Sequence, residues 1–424
     1  MPARPPARRA ALLLLLAALA GCTGGGERSP AWAASTADVV GPEVEGGTDV
    51  RVDLYLDATT SMEGYATPGS TYGRFLDALE SSITAGWREA DVRFYRFGTR
   101  VDSVGREAFL SAKSAPAFYR QPGLFETTNI DSVLARTDPE RVSVVVTDLF
   151  QSDGDTNALV AQVKERAFAR GLDAAVLAIP SEFDGRVYDA PGGTYEYAST
   201  AGDPASRRPF YALMFGRPAN IGRLFETLRT QPFVDAGQFT VVSPYVVDEY
   251  AVSLRKAREA RDLNVGGASD EPNTFAFNLR PGGEGGRLEG EAVVRRDPFA
   301  PDVNPGRLEL VAYRRVAGAA DSARVRDFTL REPRWSGDTL RFAVDYRLAE
   351  PAGRYSYLVV LQVGSVDGLR APAWVGRLSS EAPSAASDAN RTLNLAPLVS
   401  GLLQARTTLR QPRLAQFVVN VRKS

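Results

Sequence analysis

The chain has 424 residues, a formal net charge of −1, 44% hydrophobic residues and 24% charged ones. That length exceeds one ordinary hydrophobic core and predicts two or three domains, and the balanced charge, with no block of Lys and Arg, excludes a phosphate-binding face for nucleic acid. There is no His and a single Cys, which excludes His-based triads, His general bases and His-ligated zinc.

In chain order, Arg4, Arg8 and Arg9 precede a short apolar run over residues 10–20. The pattern is that of a secretory signal. The run is too short for a bilayer-spanning helix, which needs about 20 apolar residues. It ends in Leu19-Ala20-Gly21-Cys22, which resembles the lipobox of bacterial lipoproteins. The resemblance implies removal of residues 1–21, acylation of Cys22 and an extracytoplasmic place in the cell envelope. Thr23 rather than Asp follows the Cys, which favours the outer membrane of a cell that has one. Residues 22–48 are rich in Gly, Ala, Ser and Thr and read as a flexible tether, with an extended reach on the order of 80–90 Å.

From residue 49 the pattern becomes that of a folded domain. Residues 52–57 read as a strand, and Phe75, Leu76, Leu79 and Ile83 recur at helical spacing over 71–85. Residues 92–97 read as a strand, with 101–104 returning as an antiparallel edge. A helix is predicted from Thr128 or Asn129. Residues 142–147 form a β-branched run suited to a strand buried on both faces. A helix around Leu159, Val160, Val163 and Ala167, a strand over 172–179, a strand over 210–215 and a helix through Ile221, Leu224, Phe225 and Leu228 follow. The alternation predicts an α/β fold with a doubly wound, mostly parallel sheet over residues 49–235. The Gly- and Pro-rich stretch 181–208 is an insertion predicted to form a hairpin or a lobe beside that sheet. Over 236–424 alternating runs, such as Leu340, Phe342, Val344 and Tyr346, predict a mainly β, sandwich-like domain of antiparallel strands. One late helix is expected around Leu398, Val399, Leu402 and Leu403, before a closing strand over 414–421.

The residues that carry chemistry are Asp57-Ala58-Thr59-Thr60-Ser61-Met62-Glu63-Gly64, between an apolar strand and a helix. They resemble the Asp-x-Ser-x-Ser motif of the metal-ion-dependent adhesion site in von Willebrand factor A domains. Thr59 replaces the more usual Ser and keeps the hydroxyl. Thr127-Thr128-Asn129-Ile130 resembles that family's second loop, and Val144-Val145-Val146-Thr147-Asp148 its apolar strand ending in Thr-Asp. The resemblance covers roughly residues 49–230. It implies a divalent cation, Mg²⁺ or alternatively Mn²⁺ or Ca²⁺, held by Asp57, Thr59, Ser61, Thr128 and Asp148. It also implies a protein ligand whose acidic side chain completes the coordination. Glu126 and Phe150 flank this set and are candidate ligand contacts.

The physical logic agrees with the resemblance: open α/β sheets bind ligands outside the carboxyl ends of their strands, and Mg²⁺ takes hard oxygen ligands. Asp153 and Asp155 read as helix-capping residues, and Glu182, Asp184 and Asp189 as solvated loop charges. Without His, an available thiol, paired catalytic carboxylates or a Gly-rich phosphate loop, the chain reads as a binding protein and not an enzyme. The alternative is a structural envelope lipoprotein whose fold is a scaffold with a structural or lost metal.

Overall fold

A computed structural model of the chain describes residues 37–41, 47–124, 126–149, 156–188, 194–258, 260, 262–266, 271–380 and 390–424. Cys22, Phe150, Asp153, Asp155 and Asp189 lie outside the described residues.

The first unit is mixed α/β. In chain order it contains α1 (Ala37–Val40), β1 (Asp49–Asp57), α2 (Thr71–Gly86), β2 (Glu89–Phe97), β3 (Val101–Val104), α3 (Arg106–Ser111), α4 (Ile130–Leu134), β4 (Val142–Thr147), α5 (Thr156–Arg166), β5 (Asp173–Ser181), β6 (Asp184–Val187), β7 (Tyr195–Ala198), β8 (Arg208–Gly216), α6 (Pro218–Leu228) and β9 (Phe239–Val242). Each element follows from local pattern. The apolar stripe of α2, Phe75, Leu76, Leu79 and Ile83, is fully buried. Its first turn is capped by Ser70, whose side chain accepts from Gly73 N at 3.1 Å, satisfying one of the orphan donors of a helix start. Every residue of β4 is buried, as its uninterrupted β-branched run requires.

Seven strands form one sheet in the order β3-β2-β1-β4-β8-β5-β9. β1 runs parallel to β2 and to β4. The pairs β2–β3, β4–β8, β5–β8 and β5–β9 are antiparallel. The sheet is therefore mixed, which corrects the expectation of a mostly parallel one. The cause is the 181–208 segment. It makes the predicted hairpin, β6–β7, at the tip of a longer antiparallel return in which β8 pairs with β5 and wedges between it and β4. An antiparallel return needs no crossover helix. Helices cover both faces: α2 and α6 pack on one, α4 and α5 on the other.

The second unit is β-rich. It comprises β10 (Val247–Lys256), β11 (Leu263–Val265), β12 (Thr274–Leu279), β13 (Gly285–Arg296), β14 (Asp302–Val303), β15 (Leu308–Val316), β16 (Ala323–Val325), β17 (Phe328–Ser336), β18 (Thr339–Arg347), β19 (Gly353–Val363), β20 (Leu369–Arg370), α7 (Ala373–Leu378), β21 (Ser379–Ser380), β22 (Thr392–Leu393), α8 (Leu395–Leu409) and β23 (Arg413–Lys423). A four-stranded sheet, β10-β13-β18-β17, faces a six-stranded one, β11-β12-β23-β19-β15-β16. The pairing of β12 with β23 is parallel, an exception to the antiparallel expectation. It arises because the last strand of the chain enters the middle of the sheet.

The two units share a core. One apolar cluster runs from α5 through Leu398, Leu402 and Leu403 of α8 into the sandwich. Gly401 lies so close to α5 that a Cβ there would sit 2.9 Å from a Val160 methyl. Arg406 of α8 reaches Asp173 of β5 at 3.0 Å and donates to Phe168 O at 3.1 Å. Tyr211 Oη donates to Thr392 Oγ1 at 2.8 Å. β9 lies beyond residue 235 yet belongs to the first sheet. Within the stretch read as a tether, α1 docks on the second unit: Val39 is fully buried, and Asp38 pairs with Arg410 and Arg413 at 3.5 Å each.

Candidate functional site

The chain goes from β1 to β2 on one side and returns to β4 on the other, so the strand order reverses between β1 and β4. Such a switch point leaves a crevice outside the carboxyl ends of the two strands. Asp57 is the last residue of β1, and Asp148 follows the last residue of β4.

Asp57 is fully buried, and Thr59, Ser61, Thr128 and Asp148 are 3–7% exposed. Thr59 donates to Asp57 Oδ1 twice, from its backbone N at 3.0 Å and its hydroxyl at 2.7 Å. The Thr59 hydroxyl lies 3.1 Å from Ser61 Oγ and 3.2 Å from Thr128 Oγ1. Thr128 Oγ1 is 3.4 Å from Asp57 Oδ2. Burial, and then the neighbouring charge of Asp148, push the Asp57 carboxyl up to about 7. Four of the five sequence-predicted residues are thus joined by hydrogen bonds, and Asp148 reaches the same carboxylate electrostatically.

Local packing holds this geometry. After Thr59 the chain turns through a 3₁₀ segment, Thr60–Tyr65, in which Met62 and Tyr65 are fully buried. Tyr65 Oη donates to Pro209 O at 2.7 Å. The loop that carries Thr128 is held by the β2–β3 turn. Thr99 N donates to Leu124 O at 2.9 Å, and Asn129 N to Gly98 O at 3.2 Å. A Cβ on Gly98 would stand 1.9 Å from Leu124 O, so only glycine lets the two loops approach. Asn129 caps α4 by accepting from Ser132 N at 3.0 Å.

Sequence reasoning did not single out Thr147 as a site residue. Its hydroxyl donates to Asp57 Oδ2 at 2.7 Å and accepts from Leu149 N at 3.1 Å. The pairing of Leu56 with Val146 carries the signal, because the next residues in register are Asp57 and Thr147. Leu149 then takes a left-handed φ of 61°, a conformation uncommon for a side chain other than Gly or Asn.

Glu126 is exposed at the surface of the Thr128 loop. Glu63, inside the motif, pairs with Arg120, whose Nε lies 2.9 Å from its carboxylate. Glu182 is not a solvated loop charge. It accepts from Thr71 N at 2.7 Å at the start of α2 and pairs with Arg207 at 2.6 Å. Burial opposes its ionisation, but the Thr71 backbone bond and Arg207 together hold it below the usual range.

The donor set is all oxygen: two carboxylates and three hydroxyls. Among the described residues no cluster holds three or more His, Cys, Asp or Glu side chains, so hydroxyls must supply the rest of any coordination here. A buried carboxylate pair whose mutual charge raises a pKa is the electrostatic situation that a divalent cation relieves, and hard oxygen donors suit Mg²⁺. The residues fit such an ion. No protein-family model matches the chain, and a search of curated proteins gives no match either. Among the described residues no helix is long and apolar enough to cross a membrane.

Proposed function

We propose that this chain is a von Willebrand factor A-like binding protein held in the cell envelope by a lipid on Cys22, and that it captures a protein ligand through the ligand's acidic side chain. The observation that carries the reading is the meeting of Asp57, Thr59, Ser61, Thr128 and Asp148 at the switch point between two parallel strands. Those five residues would hold Mg²⁺, or Mn²⁺ or Ca²⁺ in its place. The bound cation would offer the ligand carboxylate a coordination position not filled by protein. Asp57 supplies charge and, through Thr59 and Thr147, is fixed in orientation. The three hydroxyls supply neutral donors, which leaves the site short of negative charge and receptive to an incoming carboxylate. Glu126 stands exposed on the rim, a candidate for reading the ligand's flanking residues.

The test is calorimetric titration with Mg²⁺ and Mn²⁺ of the wild type and Asp57→Ala, paired with ligand capture with and without chelator. Binding by the wild type, lost in the variant, and capture abolished by chelator support the reading. Equal binding by both proteins would end it. Movement of Cys22→Ser from the membrane to the soluble fraction tests the anchor separately.

A structural scaffold is the second reading. The hydrogen bonds within the cluster favour it, because Asp57, Thr59, Thr128 and Thr147 already satisfy one another. Capture that persists in chelator would select it.

A further inference from the structure

The sandwich carries an unfinished edge. β15 pairs along its whole length with β19, from Leu308–Val363 to Val316–Tyr355. On its other side it pairs with β16 only through Ala312, Tyr313 and Arg314. After Val325 the chain leaves this sheet and crosses to the other as β17. Among the described residues, Leu308, Glu309, Leu310 and Val311 therefore have no strand beside them on that side, a gap of roughly 13 Å at about 3.3 Å per residue. A cleft of about 650 Å³ opens along the gap, lined by these four residues and by 324–326 and 328–330.

Strand alternation sorts the chemistry of the cleft. Val325 pairs with Ala312 and shares its inward face. Leu308 and Leu310 are in phase with Ala312 on that face, and both pack partly buried against the core, as do Val325 and Leu330. Phe328, 4% exposed, closes the floor. Arg324 pairs with Tyr313 and faces outward. Arg324 and Arg326 are exposed, and neither has an ion pair among the described residues. Among the described residues that line the cleft the one acid is Glu309, which accepts from Gln362 Nε2 at 2.9 Å.

We propose that this edge docks an extended segment of a protein partner in which apolar and acidic residues alternate. The segment adds to β15 beyond β16. Its backbone pairs with residues 308–311, its apolar side chains enter between the sheets, and its carboxylates face Arg324 and Arg326. Strand addition of this kind takes affinity from main-chain hydrogen bonds and specificity from alternate side chains. The site is separate from the Asp57 cluster and needs no metal.

The test uses two fluorescent peptides, one of Glu-Val repeats and one of Lys-Val repeats, titrated in chelator against the wild type and the Arg324→Glu/Arg326→Glu variant. Both positions are exposed, so the variant is expected to fold, and an unchanged far-ultraviolet spectrum checks it. The wild type is expected to prefer the Glu-Val peptide, the variant to bind it roughly tenfold or more weakly and to prefer the Lys-Val peptide. Hydrogen exchange should show new protection at residues 308–311. No saturable binding at millimolar peptide, indifference of both proteins to peptide charge, or protection elsewhere would overturn the proposal. So would a concentration-dependent dimer of the wild type that protects residues 308–311 and excludes the peptide.

Discussion

The Thr147 hydroxyl donates to Asp57 Oδ2 at 2.7 Å across the seam between β4 and β1. The bond fixes one carboxylate oxygen and leaves the geometry of the other to Thr59. Thr147→Val keeps the shape and removes the donor. Loss of a group that orients a metal-binding carboxylate typically costs 10–100-fold in affinity. Mn²⁺ titration of Thr147→Val is therefore expected to show binding weakened by about that factor, with the far-ultraviolet spectrum unchanged.

Asp57→Asn should raise the melting temperature in chelator. Asp57 is fully buried beside Asp148, and the amide removes one of two like charges. The same variant should gain nothing from added Mg²⁺, whereas the wild type should gain stability by mass action. Melting curves of both proteins with and without Mg²⁺ read the crossing. A variant less stable than the wild type in chelator would contradict the electrostatic account of the pair.

Gly98→Ala is expected to disturb the site without touching a ligand. The added methyl would meet Leu124 O at 1.9 Å and must push the loop carrying Thr128 away from Asp57. Overpacking of this kind costs about 1–3 kcal/mol. Chemical denaturation should show that loss, and metal titration a weakened site. Gly222→Ala within α6, where the new methyl meets nothing within 4 Å beyond its own helix backbone and chain neighbours, is the control, and it should lose no stability because Ala favours a helix interior over Gly.

Arg406→Met should strip the partner from a carboxyl that is 1% exposed. Burial already pushes Asp173 up to about 6, against the lowering effect of Arg406, so removing the guanidinium raises it further. A carboxyl whose folded pKa exceeds its unfolded one contributes stability that is full below the unfolded pKa and is lost as pH rises through the folded pKa. The penalty of the variant should therefore grow with pH. Breaking a buried pair costs about 3–5 kcal/mol, and that range is expected at pH 8, with a smaller loss at pH 5. Urea denaturation at both values checks the sign.

The Asp57, Thr59 and Ser61 cluster was legible because its residues lie within five positions of one another and follow an apolar strand. Thr128 and Asp148 were legible because each opens or closes an element of clear type. The placement of β8 was not. Its residues are all buried, and a strand buried on both faces reads the same whichever way its neighbours run. β13 escaped notice because its inward positions include Gly290, over which the Phe342 ring lies so closely that a Cβ would fall 2.4 Å from it. The apolar bulk of that layer comes from the partner strand. Glu182 looked like a loop charge because the amide it caps, Thr71 N, is 111 positions away in sequence.

The docking of α1 has a mechanical consequence. If the chain is held at Cys22, tension enters the fold at Ala37, where Val39 sits in the core and Asp38 grips Arg410 and Arg413. Arg410 precedes β23 and Arg413 opens it, and β23 is paired to both β12 and β19. A pull from the membrane, answered by a ligand pulling at the Asp57 cluster, would first load the sandwich and the clasp at α1. Forced extension should then show release of α1 as its earliest event, before any strand of the first sheet yields, and Asp38→Ala should lower the force at which that event occurs.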